Sequence, residues 1–165
     1  MKLKPLEQWV CDFCGEVIER PEQGWIEWLA DPSDGFRQEG FKIVHYAPYS
    51  PRKPRGRCYH YDNPPSGRRA LDIYLSEFVG EKAMPQLLVF VDGGPYREKE
   101  YGGPRVKDLR EWAELVRRLT IPYFEEARFY MKRADISGFF AGASEPWIYM
   151  PNTLKEVIRR YGDGG

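Results

Sequence analysis

Apolar and polar positions over the first 62 residues follow the short, turn-punctuated pattern of strands, and beyond them the period lengthens to that of helices. Trp9 to Phe13 and Gly24 to Leu29 are rich in aromatic and branched side chains, with the turn signal Pro21-Glu22-Gln23-Gly24 between them. A second turn, Asp31-Pro32-Ser33-Asp34-Gly35, precedes Phe36. Phe41 to Tyr46 then reads as a short strand with His45 near its end. Pro48 to Pro54 is a proline-rich basic loop, Cys58 to Tyr61 fits another short strand, and Asn63 to Gly67 breaks the pattern.

From Ser66 onward the spacing is helical. Leu71, Tyr74, Leu75 and Phe78 follow i, i+3, i+4, i+7 and predict a helix that Gly80 ends. Met84 to Asp92 fits a helix with Pro85 in its first turn as well as a buried strand, with the balance toward helix. Asp92 to Pro104, with two Gly-Gly-Pro triplets, predicts a mobile surface loop. Val106, Leu109, Trp112, Ala113, Val116 and Leu119 share one helical face. Thr120 and Pro122 fit the start of a further helix carrying Phe124, Ala127, Met131 and Ala134. A linker, Gly138 to Pro151, carries Phe139, Phe140, Trp147 and Tyr149, and Asn152 fits the cap of a last helix with Leu154, Val157, Ile158 and Tyr161 inward. The linker rings serve either as interface anchors or as a seal between the two parts. The expected fold is α+β: a metal-tied β module over residues 1–65 packed on a helical region, residues 66–165, of four to five helices. The short connection between them predicts one cooperative unit.

Composition narrows the class without fixing it. The 165 residues are 42% apolar and 30% charged, ordinary for a globular chain, and 15% aromatic. No apolar run approaches the ~20 residues that span a bilayer. Lysines at the N-terminus are followed by no apolar stretch, so no secretory signal is expected. These features predict a reducing cytoplasm, where a Cys pair binds metal or does redox work more often than it forms a structural disulfide.

Metal binding is the clearest chemistry. Cys11-Asp12-Phe13-Cys14-Gly15 brings two thiolates to one ion when the chain turns tightly, and Gly15 permits the positive φ such a turn needs. His45, Cys58 and His60 follow, so all three cysteines and both histidines fall within the first 60 residues. Zinc takes four ligands. Cys11, Cys14, His45 and Cys58 are the preferred set, with His60 in place of His45 as the alternative. A redox pair opening a helix is disfavoured, because Glu16, Glu19, Pro21 and Glu22 follow the motif. The five-residue Cys-x-x-Cys-Gly turn resembles the knuckles of zinc-ribbon and treble-clef modules, a resemblance that implies Zn²⁺ and no particular activity.

Neutral net charge hides an uneven distribution. Residues 1–40 carry nine acids against four Lys/Arg, whereas residues 41–69 carry seven Lys/Arg against one acid. Arg52, Lys53, Arg55 and Arg57 lie among tyrosines in segment 46–61, a pattern that suits phosphate contacts and base stacking, or a solvated loop that answers the acidic N-terminal stretch. Catalytic signatures do not stand out, and adjacent Glu125 and Glu126 fit a solvated helix face. The sequence therefore points first to a zinc-stabilised interaction or regulatory protein with a protein partner, next to a nucleic-acid-binding module, and last to a metal-dependent hydrolase.

Overall fold

Strand β3 (Gly24–Asp31) is the central strand of the main sheet, and the larger core is arranged about it. In the computed structural model, which describes residues 1–53, 56–96 and 103–162, β4 (Arg37–His45) and β5 (Arg69–Tyr74) pair antiparallel with its two edges. A small hairpin of β1 (Trp9–Val10) and β2 (Val17–Ile18) precedes them. Helices α1 (Ala83–Val91), α2 (Leu109–Thr120), α3 (Phe124–Ala127), α4 (Met131–Ile136), α5 (Glu145–Ile148) and α6 (Pro151–Tyr161) follow. The chain is α+β, strands first and helices after. No helix is long and apolar enough to cross a membrane among the described residues.

Alternation along β3 decides what each face does. Ile26 and Trp28 point to the helices, where they join Phe41 and Ile43 of β4, Leu87 and Phe90 of α1, and Trp112, Leu115 and Leu119 of α2. Phe90 and Trp112 stack at 4.8 Å, and Phe41 meets Trp112 edge-on at 4.9 Å, so aromatic rings fill the space between sheet and helices. The opposite face is covered by residues 46–53 and 56–61, a wrap that crosses it. Trp25 is stacked between Tyr46 at 4.6 Å and Tyr59 at 5.3 Å, and the Glu27 carboxylate accepts the His60 N–H at 2.8 Å. Burial on this face pushes the Glu27 carboxyl up to about 7.

A bulge sets the register of the hairpin. Trp28 lies between the pairs Glu27–Lys42 and Leu29–Glu39, so Gly40 and Phe41 together oppose it. Gly40 adopts φ +75°, and its carbonyl accepts the Tyr61 hydroxyl at 2.6 Å, which ties the wrap to the bulge. A Cβ at position 40 would overlap that hydroxyl. Gly40→Ala is therefore expected to cost about 1–3 kcal/mol through strained backbone and a displaced tyrosine. Tyr61→Phe, which loses only the hydrogen bond, should cost about 1 kcal/mol. Urea denaturation of the two variants checks the difference, and equal midpoints would count against this account of the bulge.

Several sequence expectations are corrected. Residues 71–78 do not form a helix: Leu71 and Tyr74 belong to β5 and are 38% and 44% exposed, whereas Leu75 and Phe78 enter the core from a 3-10 turn. In Arg69-Ala70-Leu71-Asp72-Ile73-Tyr74 the polar residues Arg69 and Asp72 stand three apart, so the segment carries no strand period of its own, and pairing with the second edge of β3 overrides the helical spacing. Cys58 to Tyr61 is not a strand; it crosses the face of the sheet and has no ladder partner. Thr120 closes α2 instead of capping α3, because its hydroxyl donates to the Val116 carbonyl one turn back at 2.7 Å. Asn152 lies inside α6, whose first residue is Pro151, where the fixed φ and absent N–H suit a helix start. Asp108, not singled out by sequence, caps α2 by accepting the N–H groups of Arg110 and Glu111. Residues 97–102 of the Asp92–Pro104 loop lie outside the described residues.

A second core joins α3, α4 and α6 through Phe124, Ala127, Tyr130, Ala134, Leu154 and Val157. Phe139, Phe140 and Tyr149 of the linker pack against it half-buried, while Trp147 is exposed. Three of the four linker rings thus seal the helical part.

Candidate metal centre

The hairpin β1–β2 exists to turn the chain through Cys11 and Cys14. Gly15 at φ +78° closes the turn, with its N–H donating to the Cys11 carbonyl and the Cys11 N–H to the Glu16 carbonyl, both at 2.9 Å. Asp12, between the cysteines, fixes the turn against β4. Its N–H donates to the Ile43 carbonyl at 2.8 Å, and its carboxylate accepts the Ile43 N–H at 2.7 Å. That docking sets Cys14 Sγ 3.5 Å from His45 Nδ1 at the end of β4. Cys58 arrives from the wrap, and its Sγ lies 3.1 Å from the Ser50 hydroxyl.

Cys11, Cys14, His45 and Cys58 each present one ligand atom, and all these atoms lie within 4.8 Å of one another. Tetrahedral thiolates ~2.3 Å from a zinc-sized ion are ~3.8 Å apart, so the four donors need draw in by only about 1 Å to hold one. The second ring nitrogen of His45, Nε2, is 3.3 Å from the Val17 carbonyl. With the proton on that nitrogen, Nδ1 is left as the ligand, the arrangement by which a carbonyl orients a metal-binding imidazole. His60 stands outside the cluster, its ring edge-on to Phe13 at 5.1 Å. Burial, followed by the charge of Lys42, lowers its pKa.

Charge makes the same point as distance. Burial pushes all three thiols toward the neutral form. At Cys11 the His45 imidazole and nearby backbone groups outweigh burial and bring the thiol down to about 6. Cys14 is driven up to about 12, by burial first and then by Cys11 beside it. Cys58 is raised by burial, with the charge of Cys11 adding to it. One thiolate is stabilised here and the others are resisted. A cation at the centre removes that conflict, because it neutralises the charge that the thiolates impose on one another.

The centre is braced from the helical side. Arg118 at the end of α2 is buried, and its guanidinium pairs with the Glu125 carboxylate at 2.7 and 2.9 Å and with Asp12 at 2.8 Å. Glu125 also accepts the Val10 N–H at 3.0 Å, and Glu126 accepts the Leu3 N–H at 2.7 Å. The Trp9 indole N–H donates to the Arg118 carbonyl at 3.1 Å. Glu125 and Glu126 are thus buried acceptors for the N-terminal strand, which corrects their reading as a solvated face. Asp12 and Arg118 carry no local sequence signal for this role, since Arg118 meets partners up to 109 residues away.

The basic residues of the wrap are partly engaged within the protein. Arg52 lies over the Phe13 ring at 5.0 Å, while Arg57 lies over Tyr59 at 4.6 Å and pairs with Asp62 at 2.5 Å. Lys53 is exposed, and Arg55 lies outside the described residues. No protein-family model, curated protein or solved structure matches this chain.

Proposed function

We propose that the chain is a zinc-stabilised interaction protein of the cytoplasm, in which the metal is structural. The observation that carries this reading is the closed donor set: three thiols and one imidazole, three of the four residues buried, gathered within 4.8 Å. Thiolate and imidazole donors suit zinc and not magnesium or calcium. Four protein donors complete its coordination and leave no position for water or substrate, which argues against a metal-dependent hydrolase. Recognition then falls to the protein surface around the centre. Arg52 and Arg57 spend their charge on Phe13, Tyr59 and Asp62, which supports a protein partner over a nucleic acid.

Elemental analysis of the purified chain should return one zinc per molecule, retained through dialysis. His45→Ala should lose it, and His60→Ala should keep it. Zinc well below one per chain, or loss with His60→Ala instead, would overturn the assignment. In a companion filter assay, DNA or RNA retained at low salt and released on replacing Arg52, Lys53 and Arg57 with alanine would favour the nucleic-acid reading.

A further inference from the structure

We propose that two copies of this chain pair through the outer edge of β5, which joins their sheets across a twofold axis. The two edges of the sheet are finished differently. Along β4, the Gln38 N–H donates to the Arg105 carbonyl at 2.6 Å, and the Gln38 carbonyl accepts the Lys107 N–H at 2.8 Å. The Gly40 N–H donates to the Glu111 carboxylate at 2.9 Å, and the Ile43 N–H to the Asp12 carboxylate at 2.7 Å. These contacts close that edge to a further strand.

The edge of β5 is not closed. Its ladder partners all lie on β3, and among the described residues no other group hydrogen-bonds to the backbone of Arg69–Tyr74. Arg69, Ala70, Leu71, Asp72 and Tyr74 are all exposed. Edge strands that stay single are blunted by a bulge, a proline or a lysine, and β5 has none of the three.

The sequence of β5 suits its own copy. A twofold axis normal to the sheet leaves each side chain on its own face, so it opposes only residues of the same face. The register centred on Leu71 opposes Leu71 to itself, Ala70 to Asp72 of the second copy, and Arg69 to its Ile73. No like charges meet, and the arginine stem lies along an apolar side chain. Centring on Asp72 would set carboxylate against carboxylate, and centring on Ala70 would set Leu71 against an arginine.

Apolar groups flank the edge on both faces. Val89 of α1 lines the same cleft as Leu71 on the helix side. On the other face Tyr74 meets Tyr46 edge-on at 5.3 Å, and Tyr46 lies 6.2 Å from the exposed Tyr49. Tyrosines in such positions are common anchors of protein interfaces.

Sedimentation velocity of the metal-loaded full chain over a concentration series tests this. The interface is small, so monomer and dimer should exchange as concentration rises. Leu71→Arg puts like charges on the axis and should weaken the dimer at least about tenfold, with the melting curve of the dilute protein unchanged. Position 70 reads the register and stays informative if Leu71→Arg fails to fold. Ala70→Lys places a cation opposite Asp72 of the second copy and should tighten the dimer about threefold, whereas Ala70→Asp should loosen it as much. A monomer at every concentration up to about 1 mM would leave the edge to some other strand and overturn the proposal. A dimer indifferent to all three substitutions would place the contact elsewhere and overturn it too. Loosening by both changes at position 70 would overturn the register.

Discussion

Serine in place of Cys11 is expected to abolish cooperative unfolding of the β part instead of merely lowering its midpoint. Structural zinc contributes on the order of 10–16 kcal/mol at neutral pH, comparable to or larger than the ~5–15 kcal/mol that holds a whole domain folded. Without the metal, Cys14 and Cys58 remain as neutral thiols at the junction of hairpin, β4 and wrap, with no ion to draw those elements together. The wrap would then rest on the sheet through contacts such as Trp25 stacking, the Tyr46–Tyr74 ring pair, the Glu27 hydrogen bond and the Tyr61 hydroxyl. Indole emission reports the event, since Trp25 loses its two flanking tyrosines as the wrap lifts. A strong chelator should reproduce the effect in the unaltered chain. A metal-free protein with the melting curve of the loaded one would end the structural role.

Arg118→Met is expected to cost about 3–5 kcal/mol, the range for removing one partner of a buried ion pair. The penalty comes less from lost attraction than from Glu125, which stays buried with one cation fewer and Arg128 at 3.1 Å still paired with it. Adding Glu125→Gln should recover a substantial part, because glutamine keeps an acceptor for the Val10 N–H and carries no charge. Urea denaturation of the single and double variants measures the coupling. Additive losses would show that the two side chains act independently.

What the sequence disclosed depended on how local the determining contacts are. The Cys11–Gly15 turn closes on its own backbone, and Trp112, Val116 and Leu119 of α2 and Leu154, Val157 and Ile158 of α6 repeat within a few turns, so motif and periodicity exposed them, whereas Val106 lies before α2 and Leu109 is exposed. Residues 71–78 carry a helical spacing, and only pairing of residues 69–74 with the vacant edge of β3, some 45 residues upstream, selects the strand. Glu125 and Glu126 sit in the first turn of a short helix, where acids are ordinarily solvated; the strand that buries them comes from the other end of the chain. Choosing between His45 and His60 likewise needs the hairpin docked on β4, because both lie near Cys58 in sequence.

The brace between Arg118 and the N-terminal strand also orders events during synthesis. Every candidate ligand of the metal centre has been made by residue 58, yet Arg118, Glu125 and Arg128, which brace Val10 and Asp12 from the helical side, come from residues 118 to 128. At ~5–20 residues per second the ribosome takes on the order of ten seconds to cover that gap. Throughout it the three thiols are present on a chain that lacks its clamp, open to oxidation and to exchange of one metal for another. A cell making this protein under oxidative or copper stress should therefore damage the nascent chain far more readily than the finished one.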